Sequence, residues 1–256
     1  MATDPLDSAR TKLARAEEHL AGVNMETGTF LAAHPYGTLR DVDATGTKYV
    51  FRLIVRDDPP LRLSVLAGDV IQNARAALDH AVVALAHHQS PVRLTEKEEG
   101  KLQFPIVTNP ADFVGQVNQG RLSGIHDTTF IEAMQPYHGG SVGDVLALLN
   151  RLSNVDKHRR LSILTYSMRQ GRLRRPPDAE IIDPHWSKDA LVDGAVIARF
   201  VLSRPCPEVE VELEASFGPT FEPVVPGSPV PGFRDALGRI ITIVESVLGE
   251  FGRRFR

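Results

Sequence analysis

The stretch GDVIQNARAALDH, residues Gly68 to His80, decides the centre of the fold. Apolar residues recur in it at steps of three and four, the spacing that gives an α-helix one buried face. That face holds the side chains of Val70, Ala74, Ala77, Leu78, Ala81 and Leu85. Pro59 and Pro60 suit the first turn of this helix, so we predict that it runs from about Leu61 to His88.

Polar residues form two stripes along the edges of the same helix. At 100° per residue, Asp69, Asn73 and His80 fall within about 40° of one another. Arg75 and Asp79 are four residues apart and form the second stripe. Arg75 and His80 therefore flank the buried face. Side chains at such positions either join helices as a structural polar network or line a functional cleft, and the sequence leaves both interpretations open.

A second polar cluster lies in NRLSNVDKHRRL, residues Asn150 to Leu161, within a helix predicted from Val142 to about Tyr166. Arg151, Asn154 and His158 project from one face of this helix. We expect the two long helices to pack against each other at the centre of a bundle. The sequence then predicts a polar pocket between them, lined by Asp69, Asn73, Arg75, Asp79, His80, Arg151, Asn154 and His158.

The flanking segments complete an α+β fold, in which a mainly helical bundle carries a small antiparallel β-sheet packed on its side. We predict a single domain over residues 1–256, with the bundle formed by residues 5–168 plus 232–255. A β-hairpin at 37–56, turning at Gly46, and strands within 178–225 form the one small sheet. Two domains, divided near Arg169–Asp178, are the alternative.

Composition limits the classes of function. The chain has 256 residues, of which 42% are hydrophobic and 24% charged, as in soluble globular proteins. The formal net charge of -3 means that a nucleic-acid role needs a local basic patch. The segment RQGRLRRPPD, residues 169–178, supplies one. Either it is a solvated link, or it contacts nucleic acid through Arg169, Arg172, Arg174 and Arg175.

Several chemistries have no signature in this chain. Cys206 is the only cysteine, which excludes an internal disulfide and a cysteine-based zinc site and fits a reducing compartment. The sequence lacks an apolar leader and a spanning segment, so we expect a cytoplasmic protein without a membrane partner. Metalloprotease, serine hydrolase, P-loop and dinucleotide-binding motifs are missing. We therefore predict neither a metal nor a cofactor.

The two clusters also carry a resemblance. The helix GDVIQNARAALDH, followed by a later Q-P-Y and by LSNVDKHRRL, resembles a bacterial, largely actinobacterial, family without an assigned function, over Leu63 to Leu161. The spacing from Arg75 to His80 is similar to the R-x(4–6)-H motif of HEPN-domain proteins, and Arg151 to His158 fits the same pattern. HEPN motifs generally place a polar residue after the arginine, where this chain has Ala76 and Leu152.

The HEPN resemblance implies a helical, homodimeric protein and a metal-independent ribonuclease. In such an enzyme His80 would transfer protons at the RNA 2′-hydroxyl or the leaving oxygen, and Arg75 would hold the phosphorane charge. Two hypotheses follow. The first is a binding or structural protein whose Arg/Asn/His pocket takes a small-molecule ligand or stabilises a dimer. The alternative is a HEPN-like ribonuclease of the toxin or defence type that acts on RNA.

Overall fold

The chain folds into helices and antiparallel strands. The computed structural model describes residues 4–158, 161, 165–188, 191–207, 210–221 and 232–255. The helices of this part are α1 (Asp7–Ala32), α2 (Leu61–Gln89), α3 (Glu96–Glu99), α4 (Pro110–Asn118), α5 (Thr129–Glu132), α6 (Gly140–His158) and α7 (Phe233–Gly252), with short 3-10 turns at Pro136–His138 and Arg253–Phe255. The strands are β1 (Tyr36–Val42), β2 (Lys48–Val55), β3 (Thr165–Arg174), β4 (Ile181–Trp186), β5 (Val196–Leu202) and β6 (Glu212–Thr220). The predicted α+β class is confirmed.

The chain forms two compact units. The first, here the helical unit, comprises residues 1–23, 65–161 and 236–256. The second, here the sheet unit, comprises residues 24–64 and 162–235. Each unit is built from segments that are distant in sequence. The single domain stays a prediction.

Helix α2 forms the core of the helical unit. Its predicted apolar face is fully buried, with 0% exposure at Val70, Ala74, Ala77, Leu78, Ala81 and Leu85. The predicted packing of α2 on α6 is confirmed, because the Nε2 of Gln72 donates a hydrogen bond of 2.9 Å to Oδ2 of Asp156. Gly68, one turn before Gln72, leaves room for the same carboxylate.

The six described strands form two sheets rather than the one sheet predicted. The larger sheet has the order β1-β2-β5-β4, and the smaller consists of β3 and β6. The predicted pairing of the hairpin at 37–56 with a strand from 178–225 is confirmed, since β2 pairs with β5 in the register Lys48↔Val201. Gly46, at the turn between β1 and β2, has the expected positive φ of 69°. Strand β6 does not join them, because its hydrogen bonds go to β3.

The region around β3 corrects two predictions. The helix was predicted to reach Tyr166, within a bundle predicted to reach residue 168, but α6 is described as Gly140–His158 and Thr165–Arg174 is a strand. Much of the basic segment predicted as a link is therefore β-structure. Strand β6 explains this, since Leu173 faces Leu213 and Arg172 faces Glu214 across the pair. The partner strand is far along the chain, and its Glu214 forms an ion pair with Arg174, which the local sequence around β3 does not reveal.

Both sheets of the sheet unit contribute to one apolar core. Its largest fully buried side chains include Tyr49, Phe51, Phe200 and Tyr166. Tyr166 comes from β3, and the other three come from β2 and β5. The alternation of inward apolar and outward polar residues in β2 is the pattern that places one strand face on a core.

Candidate functional site

The first polar stripe of α2 contacts its own helix and α1. The Nδ2 of Asn73 donates a hydrogen bond of 2.8 Å to the backbone oxygen of Asp69. The carboxylate of Asp69 lies 3.7 Å from Nδ1 of His19. His80 is also turned toward α1, where its Nδ1 lies 2.7 Å from Oγ of Ser8. These contacts join α2 to α1, and they give Asn73 and His80 structural partners.

Arg75, on the second stripe, is buried. Its side chain keeps 8% exposure, and its Nη2 donates to the backbone oxygen of Phe104. Oδ1 of Asp79 lies 3.3 Å from the same Nη2 and accepts the backbone N–H of Phe104 at 2.9 Å. Arg75 and Asp79 thus hold both polar groups of the Phe104 backbone against α2. This pairing satisfies buried backbone groups that would otherwise be costly.

The charge of Arg75 is only partly offset. Burial lowers the pKa of Arg75, the carboxylate of Asp79 opposes that shift, and the cation of Arg121 adds to it. Its Nη1 is buried without a hydrogen-bond partner among the described residues. The guanidinium is therefore enclosed in the helical unit, held by Phe104 and Asp79.

The second predicted cluster does not meet the first in any contact of the described residues. Arg151 and Asn154 are exposed on α6. His158 is the last residue of α6, and its side chain lies outside the described part of the chain. The polar link between α2 and α6 is instead made by Gln72, whose Nε2 lies 3.4 Å from the backbone oxygen of Ser153 as well as near Asp156.

Sequence reasoning missed this link. The polar stripes predicted on α2 and α6 do not include Gln72 and Asp156. Gly68 was nevertheless a sequence signal for a close contact at this place. A glycine one turn before a polar residue, on the interior of a long helix, marks a place where another element approaches closely. Here an ideal Cβ on Gly68 would lie 2.6 Å from Oδ1 of Asp156.

The basic segment lines an open groove of the sheet unit. The groove has a volume of about 820 Å³. We call it the Arg172 groove, and its lining is Gly171, Arg172, Leu173, Arg174, Arg175, Pro176, Pro177, Ile181, Trp186 and Glu210. It therefore gathers three of the four arginines of the predicted nucleic-acid contact. The fourth, Arg169, lies in another cavity.

The three arginines of the groove differ in how far they are paired. Arg174 forms an ion pair with Glu214 at 2.6 Å. Nη1 of Arg175 donates to the backbone oxygen of Pro176 at 3.1 Å. Arg172 is exposed and has no hydrogen-bond or ion-pair partner among the described residues. Its guanidinium keeps all its donors for a ligand or for water.

Trp186 forms part of the apolar wall of the groove. Its ring lies close against the backbone of Gly171, because an ideal Cβ there would come within 2.5 Å of Cζ3. Phe200 meets the ring at 75°, with centroids 4.9 Å apart. These contacts hold the ring in the wall of the groove. The sequence alone did not predict that Trp186 borders the basic segment, since that neighbourhood depends on long-range strand pairing.

This combination of groups can bind but offers little for proton transfer. Arginine stays protonated at any physiological pH, and no histidine is among the described lining residues. Glu210 is the one carboxylate of that lining. The groove thus presents fixed positive charge beside apolar and aromatic surface, which suits an anionic ligand with an apolar body.

Neither a metal centre nor a membrane span is present in the described part of the chain. Within those ranges, no three side chains of histidine, cysteine, aspartate or glutamate come together as a metal site. None of the described helices combines the length and apolar character needed to cross a membrane. Comparisons of the chain with protein-family models, with curated proteins and with solved structures give no match.

Proposed function

We propose that this chain is a binding protein, and that the Arg172 groove holds a small ligand with an anionic group and an apolar body. The observation that carries the proposal is the exposed guanidinium of Arg172, which has no partner in the described part of the chain and lines the same groove as the half-buried ring of Trp186. Ligand sites in proteins commonly measure about 300 to 1,000 Å³ and combine apolar walls with a few polar groups. The groove, at about 820 Å³, has this size and this lining.

Single-stranded RNA is the second candidate ligand. Arg172 and Arg174 are two residues apart on β3, and side chains with this spacing leave the same face of a strand. A row of arginines on an open groove is also how proteins follow a phosphate backbone. Trp186 supports RNA binding less well. Its ring is packed against Gly171 and Phe200 and so offers limited area for base stacking.

Packing is the role we propose for the polar side chains of α2 and α6. The ribonuclease alternative needs Arg75 and His80 to act on one phosphate. Five residues of helix separate their directions by about 140°. Arg75 is buried against Phe104, whereas His80 contacts Ser8 on α1. The geometry therefore supports a structural role better than catalysis.

An anionic dye tests the groove. 8-Anilinonaphthalene-1-sulfonate carries a sulfonate and an aromatic body, and its fluorescence rises on binding. We expect saturable binding to the folded wild type and about tenfold weaker binding to Arg172→Gln, the loss of one charge-assisted contact. Arg93→Gln removes the same charge from an exposed residue outside the groove and should leave the affinity unchanged. Equal effects of the two substitutions, or no saturable binding, would contradict the proposal.

A labelled oligouridylate distinguishes the RNA candidate. If RNA is the ligand, its anisotropy titration will show saturable binding that weakens with salt and with Arg172→Gln, and the dye will compete with it. If the RNA fails to bind while the dye binds, the small-ligand proposal stands. Cleavage of that RNA by the wild type, lost in both His80→Ala and Arg75→Ala with folding retained, would instead support the ribonuclease.

A further inference from the structure

A second cavity of the sheet unit, with a volume of about 330 Å³, contains two arginines. We call it the Arg234 cavity, and its lining is Thr27, Leu31, Arg169, Phe217, Gly218, Pro219, Arg234 and Asp235. None of these residues lines the Arg172 groove. The walls come from α1, β3, β6 and the first turn of α7, so four elements fix the positions of its polar groups.

Arg169 reaches the cavity because of a β-bulge. The register of β3 against β6 shifts between Met168 and Gln170, which leaves Arg169 as the extra residue of β3. A bulge turns a side chain away from the regular alternation of its strand, and bulges are frequent beside binding sites. The guanidinium of Arg169 then lies close against Gly218 and Gly232, where an added Cβ on either glycine would collide with it.

Arg234 enters from the first turn of α7. Its Nε donates a hydrogen bond of 2.7 Å to Oδ1 of Asn24, which fixes the side chain. The two terminal nitrogens of its guanidinium have no partner among the described residues. The N-terminus of a helix also carries a partial positive charge, so anions are favoured there.

Thr27 is the polar group that most requires a partner. The residue is 1% exposed and lines the cavity. Its hydroxyl is buried without a hydrogen-bond partner in the described structure. Most buried side-chain polar atoms in native proteins are hydrogen-bonded, and an exception calls for a physical explanation, of which a bound ion is one. This observation is independent of the arginines and of the helix terminus.

We propose that the Arg234 cavity binds a phosphate group of a small ligand. The guanidinium of Arg169 makes an ion pair with Asp235, while Arg234 brings a second cation that has no paired carboxylate within the described ranges. Donors from α1, β3 and α7 approach from different directions, which suits the tetrahedral oxygens of a phosphate better than a planar carboxylate. The Arg234 cavity is separate from the Arg172 groove, and this proposal does not depend on the ligand proposed for that groove.

Inorganic phosphate is the probe for this site. In titration calorimetry on the full chain at constant ionic strength, we expect saturable phosphate binding that chloride does not reproduce. Arg234→Gln should weaken it about tenfold or more, since a charge-assisted pair of donors is lost. Arg239→Gln removes a charge from an exposed residue of the same helix outside the cavity and should leave the affinity unchanged. Equal effects of both variants would overturn the proposal.

Two further variants separate binding from folding and from the other site. Thr27→Val keeps the shape of the side chain but removes the hydroxyl, so we expect weaker phosphate binding with an unchanged or higher Tm in phosphate-free buffer. Arg172→Gln should leave phosphate binding unchanged. The proposal is overturned if the wild type shows no saturable binding, if Thr27→Val binds as the wild type does, or if Arg172→Gln abolishes binding while Arg234→Gln does not.

Discussion

The buried guanidinium of Arg75 holds the backbone of Phe104 against α2. Together with Asp79 it satisfies both the oxygen and the N–H of that residue. A charged side chain in this position contributes to stability through the groups that would be left unpaired without it. Arg75 is therefore the residue of α2 whose replacement tests the structural interpretation most directly.

Arg75→Met is expected to lower the free energy of unfolding by about 3 kcal/mol, because it leaves the Asp79 carboxylate and the Phe104 oxygen without the guanidinium. Urea denaturation followed by circular dichroism measures the change. Arg151→Met, on the exposed face of α6, serves as the control and should change stability by about 0.5 kcal/mol or less. A loss at Arg75 no larger than that at Arg151 would show that the Phe104 contact stabilises little.

Tyr166 is expected to make the stability of the folded protein decrease at alkaline pH. Burial raises the pKa of Tyr166 from its ordinary value of 10.0 to about 12, and the carboxylates of Asp58 and Asp57 act in the same direction. Folding thus favours the neutral phenol. Its contribution to stability is fully present below about pH 10 and is lost as the pH rises toward about 12, because the unfolded chain gives up the proton first.

Tyr166→Phe should show the corresponding difference. The variant loses the hydrogen bond from the phenol to the backbone oxygen of Asp57, so it is expected to be about 1 kcal/mol less stable at neutral pH. Between pH 10 and 12, the wild type should lose more stability than the variant, and the two curves should converge. Denaturation midpoints across this range measure both effects, and parallel curves would contradict the shifted pKa.

At the scale of elements, the contact between α2 and α6 depends on Gly68. Replacing a helical glycine by alanine usually adds about 1 kcal/mol through helix propensity. At Gly68 the new methyl would displace the Asp156 carboxylate and its hydrogen bond to Gln72. Gly238→Ala in α7 meets no heavy atom within 4 Å and should show the full gain. We expect Gly68→Ala to gain clearly less or to lose stability.

A double-mutant cycle completes that test. In an Asp156→Ala background the obstacle is removed, so Gly68→Ala should then stabilise about as much as Gly238→Ala. Thermal unfolding of the four proteins of the cycle measures the coupling. Simple additivity of the two substitutions would show that the carboxylate does not limit the approach of α2 and α6.

Elements with strong local signals could be predicted from the sequence, and those defined by distant partners could not. Helix α2 is indicated by its apolar spacing and by Pro59 and Pro60, and the β1–β2 hairpin by Gly46. Strand β3 contains Arg172 and Arg174, which look like a solvated link until β6 supplies Glu214 opposite them. The register of two strands separated by tens of residues cannot be predicted from the sequence of either strand alone.

The same distinction applies to the candidate site. The basic residues Arg172, Arg174 and Arg175 were identified from local composition, and the structure places all three in one groove. Trp186 lines the same groove because of the arrangement of β3 and β4. Helical spacing and charge counts do not predict that arrangement. In α2, spacing predicts that Arg75 and His80 lie on two edges of the buried face, but their partners Phe104 and Ser8 lie elsewhere in the chain.

At the scale of the whole molecule, Cys206 offers a test of the single-domain prediction. This cysteine, the only one in the chain, is free and 7% exposed in the core of the sheet unit. Its backbone oxygen accepts the Tyr49 hydroxyl at 2.8 Å. Reaction with a thiol reagent therefore requires that the sheet unit open.

We expect the thiol of Cys206 to become reactive over the same range of urea as the loss of helical circular dichroism, which a single cooperative domain requires. Labelling with 5,5′-dithiobis(2-nitrobenzoate) at each urea concentration gives the first curve. A matched labelling of the urea-unfolded chain sets the maximal rate. Two separate midpoints would contradict the single domain and would identify the sheet unit as a body that unfolds by itself.

The position of Trp186 has an optical consequence. Because it is the only tryptophan of the chain and borders the Arg172 groove, emission excited selectively in indole comes from one place in the molecule. The ring packs against the backbone of Gly171 and the ring of Phe200. A change in the polarity or mobility of its surroundings will therefore shift the wavelength or the intensity of its fluorescence emission. The protein thus carries an intrinsic fluorophore at the groove, and occupants can be screened without attaching a dye.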